Sequence, residues 1–330
     1  MRSKTDSKVT FTDSIFKEQF IQFIQYKQGL GFSYGYHVQG CLSRINASLV
    51  ESKTSMLDRD TVEKLSERRP GESAGTQQKR ISLLRHFAQF LNDMGAEAYV
   101  TPASYSVKWI DSFAPYIFSH EQIKAIFAAA DSLPPNRASP HYHLVWPTFI
   151  RVLYGCGLRL SEALALRTDN VNLEDGILFI DKSKKGTSRY VPMSATLTKY
   201  CCKYANMVHL DGQTSYFFTA PDGGRYGPNT AYDRIKSIYE KARIPRLSNG
   251  LLPRIHDLRH TFCCHALEQM QAKNLDLYYA LPILSTYVGH QGIRDTERYL
   301  RLPAFKFDSL VDTELGLLKG IIPEVGCYER

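Results

Sequence analysis

Apolar side chains recur every three or four residues along most of the first hundred positions, as expected for helices that bury one face. Four such stripes can be traced, and Gly29 or Gly31 can end the first of them in the left-handed conformation. A loop rich in helix breakers, residues 68–75, precedes the fourth stripe. The stripes consist of Phe16, Phe20, Phe23 and Ile24; Val38, Leu42, Ile45 and Leu49; Val62 and Leu65; and Ile81, Leu84, Ala88 and Leu91.

The helical spacing fails between residues 100 and 116, where Pro102 and Pro115 interrupt it, and this segment is interpreted as a linker. Beyond it, Ser119 and Gln122 have the spacing of a capping box, which predicts that a helix begins there. Further helices are predicted over 144–154, 161–166, 196–208, 228–242, 255–272 and 275–288, with a short one around Tyr299.

A single segment has the pattern of a β-hairpin. Residues 176–180 and 188–192 are rich in branched and aromatic side chains, and they flank a polar stretch, 181–187, that contains one glycine. The predicted fold is therefore mainly α-helical with a small antiparallel β-sheet. The chain has 330 residues, which agrees with two domains. The predicted divisions are a flexible N-terminus at 1–10, a helical domain at 11–100, the linker at 101–117 and a second domain at 118–330.

Composition argues against several classes of protein. The seven cysteines are odd in number, include two adjacent pairs and lack CxxC spacing, so neither a zinc ribbon nor a disulfide framework is indicated. Reduced thiols in the cytoplasm are expected instead. The first ten residues are polar and no apolar run reaches the length of a membrane span, so neither a signal peptide nor a transmembrane helix is predicted. The P-loop motif of nucleotide-binding enzymes is missing from the sequence, so no ATP site is expected.

The positive charge of the chain changes the picture more. A net charge of +8 and an isoelectric point near 9.0 favour a polyanionic partner, DNA or RNA first. The fourth apolar stripe is accompanied by Lys79, Arg80 and Arg85, which we interpret as a candidate DNA-phosphate contact surface. An ordinary solvated helix face is the alternative.

Four separate features could carry chemistry. Arg159 lies where glycines break a helix, and Lys184 and Lys185 lie in the tip of the predicted hairpin. Each of these would by itself be an ordinary surface charge. Tyr299 follows a Gly-His pair that contains His290, and by itself it would be a half-buried aromatic anchor.

The fourth feature is the word HDLRH. His256 and Arg259 are three residues apart on a predicted helix, so they share a face and could reach one anionic oxygen. A zinc site is the rival interpretation, because His256 and His260 have the four-residue spacing of zinc-binding histidines. That site would need a distant third ligand such as His265 or His290, and the charge of Arg259 would repel the ion.

Taken in order, these pieces resemble the tyrosine recombinase (phage integrase) family, whose signature runs arginine, hairpin lysine, His-x-x-Arg, Gly-His and tyrosine. The surrounding words GLRLSEAL, HDLRHTF and GHQGIRDTERYL and the hairpin pattern KxGxxRxVP agree with it. The resemblance covers about residues 118–302, and the N-terminal helices match the core-binding domain of the family only in character. The six matching positions are Arg159, Lys184, His256, Arg259, His290 and Tyr299.

The resemblance implies a role for each position. Tyr299 attacks the phosphodiester and forms a covalent 3′-phosphotyrosyl link, and two arginines clamp the phosphate in place of Mg²⁺, so no metal or other cofactor is expected. Lys184 protonates the leaving 5′-oxygen, with Lys185 as a rival and as a possible DNA contact. The remaining assignments are Arg159 and Arg259 as the clamps, His256 as proton acceptor or hydrogen-bonding partner, His290 as a phosphate contact, and Glu162 as a support.

The function implied is a site-specific DNA recombinase or integrase of the Xer or mobile-element kind. Two domains would clamp a double-stranded recombination site, and a protein that is a monomer in solution would form a homotetramer on DNA, in the bacterial cytoplasm with the nucleoid. A type IB topoisomerase-like enzyme and a DNA-binding relative without catalysis are the alternatives. The Gly-His pair and the separate N-terminal helices favour recombination.

Two departures from the family are visible. The stretch from Arg259 to His290 is longer than usual, and the chain is expected to lack an added arm-type DNA-binding domain. Leu310–Ile321 is predicted to form a C-terminal helix that docks on a neighbouring protomer or packs within its own chain.

Overall fold

The computed structural model describes residues 9–105, 115–181, 188–208 and 215–290, together with Gly292 and Thr296. The chain divides into two compact units, Met1–Ser112 and Phe113–Arg330. This division falls within the segment 101–117 that the sequence analysis interprets as a linker. Helices dominate the described residues and a small antiparallel sheet accompanies them, which confirms the predicted fold class.

The first unit is built from four helices around an aromatic core. The Phe20 and Phe87 rings stack with their centroids 4.0 Å apart, and both side chains are fully buried. Side chains of Asp58 and Ser73 accept hydrogen bonds from backbone N–H groups and so begin the third and fourth helices. The helices are α1 (Lys17–Gly29), α2 (Tyr36–Glu51), α3 (Arg59–Ser66) and α4 (Ala74–Asp93).

The second unit has its own core, in which helix α6 is the most deeply buried element. The capping box predicted at Ser119 and Gln122 is present, and it begins helix α5. In α6, ten consecutive or nearly consecutive side chains are buried, so neighbouring helices surround it. The helices of this unit are α5 (His120–Asp131), α6 (Tyr142–Gly155), α7 (Leu160–Ala165), α8 (Ala195–Val208), α9 (Pro228–Lys241), α10 (His256–Ala272) and α11 (Leu277–Val288).

The sheet has three antiparallel strands in the order β1 (Val171–Asn172), β2 (Ile177–Ile180) and β3 (Arg189–Pro192). The predicted hairpin is β2 and β3, and its register pairs Ile180 with Arg189 at the end that leads to the tip. The sequence analysis did not predict β1, which is two residues long and carries no alternating pattern.

Helices α10 and α11 pack against each other and bring the two histidine motifs into one unit. Their shared cluster includes Cys263, Leu267, Leu284 and Val288. Gly289 ends α11 in the left-handed conformation, with φ at +69°. Within the described part of the chain, no helix combines the length and the apolar character needed to cross a membrane.

Candidate active site

Glu162 lies at the centre of a cluster of three arginine side chains in the second unit. Nη1 of Arg159 donates to Oε1 of Glu162 at 2.7 Å. Arg189 binds the same carboxylate through two hydrogen bonds, Nη1 to Oε1 at 3.1 Å and Nη2 to Oε2 at 2.9 Å. Nη1 of Arg259 lies 4.0 Å from Oε2. The Glu162 side chain is only 4% exposed, so one buried anion organises three cations.

Local sequence explains how Arg159 and Glu162 meet. Arg159 precedes the first residue of α7 and Glu162 is in its first turn, where the Glu162 carboxylate also accepts the backbone N–H of Arg159 at 3.0 Å. The chain enters this turn through Gly157, whose φ is +57°. A Cβ at Gly157 would lie 2.4 Å from Cδ1 of Phe262, so glycine is required both for the conformation and for the space.

The ionisation of Glu162 follows from its partners. Burial alone would raise the pKa of this carboxyl group, but hydrogen bonds and charge from Arg189 and Arg159 outweigh it and lower the pKa to about 2. Glu162 is therefore a carboxylate throughout the neutral range. Its charge compensates part of the positive charge that the arginines concentrate here.

The three arginines share a second set of acceptors at the C-terminal end of α11. The last carbonyl groups of a helix have no partners within the helix and carry the negative end of its dipole. Here three consecutive carbonyls each accept from a different guanidinium group, which brings α7, β3 and α10 to one place. The contacts are Arg189 Nε to Tyr287 O at 2.8 Å, Arg259 Nη2 to Val288 O at 2.5 Å and Arg159 Nη2 to Gly289 O at 3.0 Å.

Arg259 is the most enclosed member of the cluster. Its side chain is 1% exposed, and Nη1 also donates to the carbonyl of Gly157 at 2.7 Å. Its guanidinium plane is thus held from two sides by backbone. A phosphate oxygen can reach Arg259 only when the groups that cover it move.

His256 opens helix α10, three residues before Arg259. Desolvation of the ring, together with the positive charges of Arg259, Arg254 and Arg159, lowers the pKa of His256 to about 4. The imidazole is therefore neutral at pH 7 and able to accept a proton. The rings of His256 and His260 are nearly perpendicular, and their centroids are 4.7 Å apart.

His290 follows directly after Gly289 and is oriented by two contacts. Its backbone N–H donates to the carbonyl of Ser285 at 3.0 Å, and Nδ1 lies 2.8 Å from Oγ1 of Thr296, which is fully buried. Thr296 is three residues before Tyr299 in the sequence. The imidazole of His290 is thus fixed next to the carbonyl that accepts from Arg159.

Comparison with known proteins decides the family. The sequence profile of the phage integrase family matches residues 117–304, which is more than half of the chain. The protein belongs to the phage integrase family. A Sinorhizobium fredii protein named as an integrase/recombinase, y4rB, is 26% identical over 298 residues, which cover 87% of this chain and 93% of that protein.

Solved structures share the fold of this phage integrase family member. XerH site-specific recombinase bound to palindromic difH substrate, in a post-cleavage complex, has a TM-score of 0.64 and 17% identity, covering 89% of this chain and 84% of that chain. A lambda integrase tetramer bound to a Holliday junction has a TM-score of 0.58 and 12% identity, covering 85% of this chain and 78% of that one. At these identities the likeness establishes the fold.

The described residues bring together four of the six positions predicted for this member of the family. Arg159 and Arg259 meet around Glu162 and the end of α11, and His290 directly follows that end. His256 opens the helix that carries Arg259. The hairpin lysines Lys184 and Lys185, the predicted nucleophile Tyr299 and the C-terminal segment Leu310–Ile321 lie outside the described residues.

Arg189 is a site residue that the sequence analysis missed. Its side chain is 9% exposed and connects Glu162 to the end of α11, so it holds the site together beneath Arg159. A signal was present, because Arg189 is the arginine of the hairpin pattern KxGxxRxVP.

The proposed phosphate-contact surface on α4 needs correction. Arg80 is 3% exposed, pairs with Glu72 at 2.7 Å and donates to the carbonyls of Leu65 and Glu67, so the prediction that it contacts DNA is wrong. Arg85 is also engaged, because it donates to three carbonyls in residues 101–105. Lys79 is exposed, and its DNA contact stays a prediction.

The zinc interpretation of His256 and His260 also finds no support in the geometry. Among the His, Cys, Asp and Glu side chains of the described ranges, three potential ligand atoms converge at His120, His265 and Glu268. Neither His256 nor His260 is part of that group. His265, one of the two third ligands considered for the HDLRH site, belongs to this different cluster.

Proposed function

We propose that this phage integrase family protein is a site-specific DNA recombinase that breaks and rejoins strands through a covalent bond to Tyr299. The observation that carries the proposal is the convergence of Arg159 and Arg259 around Glu162 and the end of α11, which His290 directly follows. Three guanidinium groups around a single carboxylate form a site that attracts a phosphodiester.

Phosphoryl transfer concentrates negative charge on two non-bridging oxygens of a five-coordinate phosphorus. Guanidinium groups match such oxygens with paired hydrogen bonds. Arg159 has five N–H donors, of which carboxylate and carbonyl groups of the described residues accept two, Nη1 to Glu162 and Nη2 to Gly289. The remaining N–H donors of Arg159 are enough to bind a phosphate with paired hydrogen bonds. Arg259 completes the clamp when DNA displaces the groups that cover it.

The covalent step balances with the residues assigned. The phenol oxygen of Tyr299 forms a bond to phosphorus, and the bond from phosphorus to the 5′-oxygen breaks. The phenol proton passes to His256, whose ring is neutral at pH 7 in the free protein. The negative charge of a phosphate bound beside the ring raises its basicity for this step. Lys184 gives a proton to the leaving 5′-oxygen. Rejoining is the reverse reaction with a different 5′-hydroxyl, so the energy of the phosphodiester is kept in the tyrosyl ester.

His290 is proposed to donate a hydrogen bond to the same phosphate. The contact between Nδ1 and Thr296 fixes the ring, and a fixed ring holds its donor where charge develops. Glu162 and Arg189 are positioning residues in this scheme, because they act on Arg159 and on α11.

The DNA partner and the assembly belong to the same proposal. Strand exchange between two duplex sites involves four strands, so we propose a homotetramer on DNA that exchanges them in two sequential pairs, formed from protomers that are monomeric in solution. The lambda integrase structure, a tetramer on a Holliday junction, supports this assembly by analogy of fold.

The decisive experiment traps the covalent intermediate. A binding site is first selected from a pool of random duplexes, and a nicked version of it is then incubated with the protein in EDTA. We expect a denaturation-resistant protein–DNA adduct that is absent in Tyr299→Phe and unchanged in Tyr278→Phe, a matched control at an exposed tyrosine. An adduct that survives in Tyr299→Phe, or no adduct on the selected site, would contradict the proposal.

A second assay separates recombination from topoisomerase activity. A plasmid carrying two selected sites should be resolved into two circles. Relaxation of supercoils without resolution would instead support a type IB topoisomerase-like enzyme, and binding without an adduct would support a non-catalytic relative.

A further inference from the structure

A cluster of three potential metal ligands lies outside the arginine site. His120 is the first residue of α5, and His265 and Glu268 are three apart on α10, so they share one face of that helix. One nitrogen from each imidazole and one carboxylate oxygen all lie within 4.8 Å of one another. The proposed recombinase chemistry uses none of these three side chains.

The geometry of the cluster is close to that of a bound ion. In a tetrahedral zinc site with ligand distances near 2.0–2.1 Å, neighbouring ligand atoms are about 3.3 Å apart. Nε2 of His120 lies 3.4 Å from Oε2 of Glu268, which already matches that separation. The rings of His120 and His265 are 3.9 Å apart between centroids, with an interplanar angle of 26°. Because the lone pair of a ring nitrogen lies in the plane of its ring, the exposed His120 ring has to turn out of this stack before both imidazoles can bind one ion.

His265 has the second contact that orients a metal-binding imidazole. It is 5% exposed, and its Nδ1 lies 2.8 Å from the hydroxyl of Tyr154. The hydroxyl oxygen of Tyr154 can accept a hydrogen bond from the N–H group at Nδ1 of His265, which leaves Nε2 for a metal ion. Histidines that bind metals through Nε2 commonly donate their other N–H to such a partner.

We infer that His120, His265 and Glu268 bind a divalent transition-metal ion, with zinc(II) as the best match, and that the ion joins the start of α5 to α10. Two imidazoles and one carboxylate are a donor set that zinc accepts, with water in the fourth position. The negative charge of Glu268 offsets the positive end of the α5 dipole, which would otherwise disfavour a cation beside His120.

The ion would act through structure. Helix α10 carries His256 and Arg259 in its first turn, and a metal ion farther along the same helix would hold it against α5. The inference does not rest on the recombinase proposal, because adduct formation and metal binding are measured separately and either can fail alone.

The test uses full-length protein freed of metal with EDTA and then dialysed. Zinc at about a hundred times its dissociation constant should raise the Tm of the second unit by roughly 5–10 °C. The shift should disappear in His120→Gln, a substitution at an exposed position, and in Glu268→Gln. It should be unchanged in His86→Gln, a control at an exposed histidine of the first unit.

The absorption spectrum of bound cobalt(II) distinguishes nitrogen and oxygen ligands from thiolates. Bound to nitrogen and oxygen in a tetrahedral site, the ion should give visible absorption without the near-ultraviolet thiolate band, and His120→Gln should abolish the signal. A zinc-induced shift that persists in His120→Gln would place the ion elsewhere, for example at thiols, and would overturn the inference. So would the lack of any shift at millimolar zinc.

Discussion

Replacing Glu162 with glutamine tests whether one buried carboxylate holds the arginine cluster together. The amide has nearly the same shape as the carboxylate but lacks its charge, and it offers N–H donors to guanidinium groups that are themselves donors. Arg159 and Arg189 would lose three charge-assisted hydrogen bonds between their side chains and Glu162. The fold of α7 should survive, because the glutamine oxygen can still accept the backbone N–H of Arg159.

The size of the effect can be worked from two directions. Lowering the pKa of Glu162 from its ordinary 4.5 to about 2 corresponds to about 3 kcal/mol of stability at neutral pH. Removing one partner from a buried ion pair typically costs about 3–5 kcal/mol. Because the Glu162 side chain is 4% exposed, little solvent screening reduces these figures, and we expect a loss of about 3 kcal/mol.

The measurement is urea unfolding of the full chain at pH 7 in a Trp109→Phe background, so that the fluorescence reports Trp146, which is buried in the core of the second unit. The control is Glu174→Gln, an exposed glutamate for which a change within about 0.5 kcal/mol is expected. If Glu162→Gln were as stable as Glu174→Gln, the carboxylate would not be the element that holds the cluster.

The pH dependence gives an independent check with a fixed sign. Folding lowers the pKa of Glu162, so its contribution is fully present above pH 4.5 and is lost as the pH falls toward 2. The difference in unfolding free energy between wild type and Glu162→Gln should therefore shrink from about 3 kcal/mol at pH 7 to about 2 kcal/mol at about pH 3.5. A difference that grows on acidification would refute the reasoning.

Three further outcomes follow from the structure. Arg80→Met should destabilise the first unit by about 3 kcal/mol, because it leaves Glu72 without its guanidinium partner. The salt dependence of DNA binding should stay unchanged, and a smaller dependence would show that Arg80 contacts phosphate after all. Gly157→Ala should lower the Tm, because its Cβ would lie 2.4 Å from Cδ1 of Phe262, and the double variant Gly157→Ala/Phe262→Ala should recover part of that loss. If the double variant recovers nothing, the loss comes from the positive φ of residue 157 and not from the steric clash. The acid limb of kcat/KM for cleavage should lie near pH 4, where free His256 titrates, and should disappear in His256→Gln; a limb near pH 6.5 would count against His256 as proton acceptor.

Local pattern predicted most of the helices and the hairpin because these elements bury one face of a regular repeat. The capping box at Ser119 fixed the start of α5 in the same way. The pattern could not predict β1, because two residues are too few to show a period. This strand is defined by its antiparallel pairing with β2. The stretch from Arg259 to His290 consists mostly of α10 and α11, and only residues 273–276 connect the two helices.

Arg80 shows where a charge misled the prediction. It lies four residues before Leu84 and seven before Phe87, so helical spacing puts it on the buried face of α4. Its positive charge alone favours exposure. What allows its burial is Glu72 in the preceding loop, and the position of a loop carboxylate does not follow from periodicity.

The order of motifs predicted which side chains would form the site, but not what holds them. Arg159, His256, Arg259 and His290 come from the sequence motifs alone. The contacts of Arg159 and Arg259 with the carbonyls of Gly289 and Val288 depend on how α11 ends against α7, which is a tertiary property. The contact of Arg189 with the carbonyl of Tyr287 is of the same kind.

The net charge of the cluster matches the charge of the proposed transition state better than the charge of the unreacted phosphodiester. Three guanidinium groups and one carboxylate leave about two positive charges, while the imidazole of His256 is neutral. A phosphodiester carries about one negative charge, and the five-coordinate transition state carries about two. Interactions that are stronger in the transition state than in the ground state are the ones that accelerate a reaction. Without Glu162 the cluster would carry about three positive charges, which exceeds the charge of the transition state and would also strengthen binding of the unreacted phosphodiester. The carboxylate therefore sets the charge of the site as well as its geometry.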